Sequence, residues 1–69
     1  MHRIGVQSST IKSIGHDPKT LTLEIEFQNG SVYQYFDVPQ AVHEELMKAG
    51  SHGEFLSRQI KGHYRYAKV

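Results

Sequence analysis

Tyr33-Gln34-Tyr35 is the tripeptide in this chain best suited to hold a ligand. Residues i and i+2 of a strand point the same way, so both rings share one face. Neighbouring aromatics on an open strand face stack nucleobases at ~1–3 kcal/mol per base. The end of the chain supplies a complementary charge. Every Asp and Glu lies at or before Glu54, which leaves Arg58, Lys61, Arg65 and Lys68 unbalanced, with Tyr64 and Tyr66 interleaved among them. That composition suits a strand tracking nucleic-acid phosphates, and equally a solvated edge strand whose charges oppose aggregation. A further candidate is Gly50-Ser51-His52-Gly53, where free amides at Ser51 and Gly53 opening a helix would face an anion, with Arg58 about one turn beyond. Glu54 would repel that anion, and Ser51 as a plain helix cap is the competing assignment.

Other chemistry finds no footing. The five histidines are scattered, and none pairs with another at a metal-ligand spacing. His43-Glu44-Glu45 lacks the second histidine of the zinc-protease pattern. No cysteine is present, which removes disulfides and cysteine-based zinc sites and suits a reducing, cytoplasmic compartment. Ser8 and Ser9 have no nucleophile-elbow glycines around them. No catalytic centre, metal or cofactor is therefore expected, and the chain is read as a non-enzyme. Eight Lys and Arg against seven Asp and Glu leave +1, so the basic character is local to the last quarter. Apolar residues occur in pairs at most, as in Leu46-Met47 and Phe55-Leu56, too short for a membrane span.

Sixty-nine residues make one domain with a modest core, because a chain this short buries only about 60% of its unfolded surface. From Thr20 to Gln28, Leu21, Leu23, Ile25 and Phe27 alternate with polar residues, the period of a half-buried strand. Asn29-Gly30 tolerates positive φ and turns the chain into a second strand over Ser31–Asp37. Asp17-Pro18 marks a turn back to an earlier strand over Ser9–Ile14, where broken alternation between Ile11 and Ile14 predicts a bulge or an early end. After Pro39, Val42, Leu46 and Ala49 form one apolar helical stripe, which Gly50 ends in a left-handed cap. Ser51-His52-Gly53-Glu54 matches a capping box opening a second helix, with Phe55, Leu56 and Ile60 inward and Gly62 closing it. His63–Val69 reads as a short final strand, apolar at Tyr64, with Tyr66 a second candidate for that face. The order β-β-β-α-α-β gives an α+β domain, a three-stranded antiparallel meander with two short helices and a short C-terminal strand. Leu23, Ile25, Val42, Leu46 and Ile60 are its expected core.

Several marks recur in fixed order: Ser8-Ser9, Ile11, Ile14-Gly15, Asp17, Leu23-x-Ile25-x-Phe27, Asn29-Gly30, Tyr33-Gln34-Tyr35 and Val38-Pro39. They continue with Leu46, Ala49-Gly50-Ser51, Gly53, Phe55, Ile60 and Tyr64. Together they resemble the KTSC domain, a short family named for the C-terminus of some lysyl-tRNA synthetases and also found as free-standing bacterial proteins. Tyr33-Gln34-Tyr35 occupies that family's Tyr-x-Tyr signature. His16 departs from it, standing where the family often carries an aromatic such as Tyr. The resemblance implies a binding module, with RNA, tRNA-like or single-stranded, as the suggested partner.

Pairing through a two-residue Asn29-Gly30 turn sets Phe27 against Val32, Glu26 against Tyr33 and Glu24 against Tyr35. Both tyrosines then lie on the polar face beside two acids. A longer loop shifts the register by one and turns the rings toward the core. Two functions follow. The first is RNA binding, with Tyr33, Tyr35 and Tyr64 stacking bases while Arg58, Lys61, Arg65 and Lys68 meet phosphates, giving a salt slope near −3 from about −0.7 per contact on a single strand. The second is a protein-interaction domain that buries the tyrosine face or an exposed edge strand against a partner protein or a second copy.

Overall fold

Alternation of apolar and polar residues makes Thr22–Phe27 a strand with one face to bury, and it lies at the centre of the sheet. The computed structural model describes all residues from Met1 to Val69. Five strands, β1 (Arg3–Gly5), β2 (Ile11–Asp17), β3 (Thr22–Phe27), β4 (Val32–Tyr35) and β5 (Tyr66–Lys68), form one antiparallel sheet in chain order. The helices α1 (Gln40–Lys48) and α2 (His52–Phe55) lie between β4 and β5, and α2 continues as a wider π-helical turn over Leu56–Ile60. The α+β class is as expected, with five strands where four were foreseen. The additional strand is β1, which pairs Arg3 with Gly15. Gly15 permits that pairing, because a Cβ there would sit 2.7 Å from the His2 carbonyl oxygen.

The expected bulge occurs between Ile11 and Ser13, after which β2 runs on regularly to Asp17. Asp17 accepts the Lys19 amide in the following turn, as its place before Pro18 predicts. Leu21 departs from expectation. It sits in this turn at φ 56 and is 38% exposed, so the inward stripe begins only at Leu23.

The hairpin register also differs. The Gly30 amide donates to the Phe27 carbonyl, the Phe27 amide donates to the Ser31 carbonyl, and Gly30 has φ 90. This is a three-residue loop, Gln28-Asn29-Gly30, with glycine in the left-handed bulge position. Ile25 therefore faces Tyr33, Leu23 faces Tyr35 and Glu24 faces Gln34, one step from the two-residue pairing. Both tyrosines move to the apolar face, and Glu24 and Glu26 stay on the other. There Arg3 pairs with Glu24 at 3.0 Å and reaches Glu26 at 3.7 Å, while Ser13 donates to Glu26 and Gln34 to Glu24.

Both helices cover the apolar face. Pro39, extended at ψ 153, caps α1 from one residue ahead of it. Ala49, also extended, ends the helix, and Gly50 does not take the left-handed conformation expected of it. The Ser51 hydroxyl accepts the Glu54 amide as the capping pattern predicts, and Gly62 closes the second helical segment at φ 82. Ile11, Ile14, Leu23, Ile25, Tyr35, Val38, Leu46, Leu56 and Ile60 form the buried cluster. Val42, expected among them, is only half-buried. It lies one turn before Leu46, where α1 reaches the rim of the sheet. At that rim His16 donates from Nε2 to the Val38 carbonyl at 2.8 Å and stacks on His43 with ring centroids 5.0 Å apart.

Two stability outcomes follow. Leu46 is the one fully buried residue of α1, so Leu46→Ala is expected to cost ~2–5 kcal/mol and to lower the melting temperature steeply. An unchanged midpoint would show that α1 is not packed as described. Burial, and then the neighbouring His16, hold His43 below its ordinary 6.5, against the opposing pull of Glu44. As pH falls through 6.5 the unfolded chain takes up this proton before the folded one does, so stability is lost on acidification. The melting temperature should decline between about pH 7.5 and 5.5, and His43→Gln should flatten that decline.

Candidate functional site

The two helical segments leave part of the sheet's apolar face open. The core face of β2 and β3 is roofed by Leu46, Leu56 and Ile60, whereas the same face of β4 and β5 opens into a groove of about 600 Å³. Phe27, Tyr33, Tyr35 and Tyr66 supply its aromatic lining, and Lys61 with Gly62 forms the opposite lip. Asn29 and Ser31 from the hairpin loop make its polar end. The size falls in the range of sites for nucleotide-sized ligands.

Within the groove Tyr35 is the floor, only 3% exposed, and Tyr66 is the outer wall at 63%. Tyr66 packs against both neighbours, 5.9 Å from Tyr33 and 5.8 Å from Tyr35 between ring centroids. Phe27 meets Tyr33 edge-to-face at 5.6 Å, and the Lys61 ammonium lies 5.7 Å from the Phe27 ring centre. Lys68 is opposite Tyr33 in the β4–β5 ladder and so projects on the groove side of the sheet. No carboxylate lines the groove. The acids thought to stand beside the tyrosines are across the sheet, held by Arg3.

Of the residues singled out from sequence, Tyr33, Tyr35 and Lys61 converge here, and Lys68 lies on the same side of the sheet. Arg58 does not: it pairs with Glu54 one turn earlier at 3.5 Å, both side chains exposed. Arg65 reaches Asp37 at 2.9 Å and covers the Phe36 ring at 5.6 Å. Tyr64 packs half-buried against the core and borders a separate hollow with Phe36 and Arg65. The wall is instead Tyr66, which the sequence showed interleaved with the terminal bases. Ser51 serves as the helix cap, and Gly53 lies so close to Thr10 that a Cβ would come within 3.3 Å of it. Both border a polar cleft with Ser8 and Ser9 that also contains Glu54. No group of three or more His, Asp or Glu is placed to hold a metal ion.

The phenols of the groove differ in environment. Burial raises the Tyr35 phenol above its ordinary 10.0, and the nearby Tyr33 and Tyr66 phenols add to the shift. In an alkaline titration followed by phenolate absorbance, Tyr35→Phe should remove a last step lying above the ordinary 10.0. The unfolded chain loses this proton first, so the folded state should lose stability as pH rises through 10. Retention of the last step in Tyr35→Phe would place another tyrosine on the floor.

The fold recurs in other proteins. A crystal structure of a KTSC domain protein from Yersinia pestis superposes with a TM-score of 0.96 at 43% identity, covering 99% of this chain and 96% of that one. A protein of Stutzerimonas stutzeri strain A1501, described only as uncharacterised, is 40% identical over 70 residues, spanning 100% of this chain and 99% of its own length. A lysine–tRNA ligase of Nostoc sp. strain PCC 7120 is 43% identical over 63 residues, 91% of this chain. The matched stretch is only 11% of that ligase's length. The model of the KTSC domain matches residues 7–64, which includes both strands of the hairpin, both helices and Tyr64. The chain belongs to the KTSC domain family.

Proposed function

We propose that the domain binds single-stranded RNA, with an unpaired base resting on Tyr33 and Tyr66 and the adjoining phosphates facing Lys61 and Lys68. The carrying observation is a groove with four aromatic side chains, a lysine at its lip and no carboxylate in its lining. Aromatic faces alone would also suit a cationic ligand, as in cages for quaternary ammonium groups. Lys61 at the lip opposes a cation and favours an anion, and the ligand class that unites flat rings with negative charge is a nucleotide chain. RNA is favoured among nucleic acids by the kinship with a segment of a ligase named for a tRNA substrate.

The geometry narrows the electrostatic contribution. Arg58 and Arg65 already have carboxylate partners, which leaves Lys61 and Lys68 as the groove-side cations. The salt slope for a single strand should then be near −1.4, from about −0.7 for each of two phosphates, less steep than four contacts would give. Labelled tRNA and a labelled single-stranded oligonucleotide, titrated at two salt concentrations, measure it. Tyr66→Ala should weaken binding by ~1–3 kcal/mol, and Lys61→Glu with Lys68→Glu should abolish it, with little change in melting temperature. Absence of binding to either RNA at low salt, by protein shown to be folded, would overturn the proposal in favour of a protein partner.

A further inference from the structure

The strand that walls the groove has one unsatisfied side. The Phe36 amide donates to the Arg65 carbonyl and the Val69 amide to the Val32 carbonyl, with Gln34 and Ala67 paired between them. In an antiparallel ladder hydrogen-bonded pairs alternate with non-bonded ones, so residues 65, 67 and 69 face β4. Tyr66 and Lys68 must then direct their amides and carbonyls outward, at a sheet edge with no further strand, where all three residues of β5 are exposed. Alternating donors and acceptors suit another strand and not a phosphate, because the carbonyls would repel an anion.

We infer that β5 pairs with β5 of a second copy, antiparallel about a two-fold axis through Ala67. The pattern is self-complementary. With Ala67 facing its counterpart, Tyr66 faces Lys68 of the other copy on both sides of the axis, and all outward amides and carbonyls of the two strands find partners. The axial pair is of the non-hydrogen-bonded kind, with Cα atoms only about 4.5 Å apart, and alanine leaves room for that approach. Lysine meets tyrosine instead of lysine, an attractive cross-strand pair where a like-charged one would be unfavourable. Tyr66 and Val69, 63% and 66% exposed, both lie along this edge. Tyr66 and Lys68 project on the groove side, so pairing brings the two grooves onto one face of a continuous sheet. Each copy thereby adds a lysine beside the other's outer aromatic wall. The surface is small, which places the association in the weak, reversible class.

The native chain has no cysteine, so a single introduced thiol reports on this contact. Ala67→Cys places two thiols across the axis at a separation a disulfide spans. Under mild oxidation the folded variant should form covalent dimer at least about tenfold faster than Ile4→Cys, at the centre of the opposite edge strand, and faster than the same variant in denaturant. Sedimentation of the unmodified chain over a concentration series should show reversible dimer. Ala67→Lys sets like charges face to face and should shift that equilibrium toward monomer about tenfold or more, without changing the melting temperature. Equal cross-linking at both edges, preferential cross-linking at Ile4, monomer at every concentration, or a dimer indifferent to Ala67→Lys would each overturn the inference.

Discussion

Gly30, at φ 90, sets the register on which the rest of this small domain depends. With the left-handed bulge in place, the Phe27 amide bonds to the Ser31 carbonyl and the loop has three residues. A strand has a two-residue side-chain period, so the one extra loop residue decides which side of the sheet every residue of β4 occupies. Tyr33 and Tyr35 go to the face that carries Leu23 and Ile25. Gln34 goes to the face of Glu24, and donates to it. Neither the aromatic groove nor the polar network opposite would survive a shift of one residue.

The two faces then specialise. One is half roofed: α1 and the segment from His52 to Ile60 bury a largely aliphatic cluster, and a groove lined from β4 and β5 stays open beside it. Tyr35 sits at the boundary, buried enough to belong to the core yet turned so that it also floors the groove. Aromatic side chains suit such a boundary, since each couples a large apolar body to a polar tip that stays near water. The other face has no helix over it, and its acids are held by Arg3 from the short edge strand. Segregating the carboxylates in this way leaves the groove without negative charge.

The second helical segment joins core and site. Its Leu56 and Ile60 are buried, and the residue that follows, Lys61, emerges over Phe27. Gly62 then reverses the chain toward β5, which brings Tyr66 back beside Tyr33 and Tyr35. Residues separated by thirty positions or more in the chain thus line one groove because a buried pair anchors the lip and a glycine redirects the strand. The site is rigid to the extent that the core beneath it is.

Local order was readable from the sequence because its causes are local. Alternation in Leu23-x-Ile25-x-Phe27, the Asp17-Pro18 turn, the Ser51 cap and the glycines at 30 and 62 each act within a few residues, and each appears in the structure. The family marks were equally legible, since they are a matter of order and spacing. What local patterns left open was anything decided by a choice between nearly equivalent arrangements. Asn29-Gly30 fits a two-residue turn as readily as the end of a three-residue one, and burial of Tyr35 in the core is what separates the two registers. β1 carries too little pattern to announce itself, and forms because Gly15 lets a backbone approach. The fate of each cation likewise depended on distant partners: Arg65 meets Asp37 and Arg58 meets Glu54, while Lys61 is left beside an aromatic ring. Residue types and their spacing determined that this is an α+β domain with tyrosines and bases to offer. Which of them share a surface was decided by the tertiary structure, because sheet register and helix length are set by burial across the whole chain.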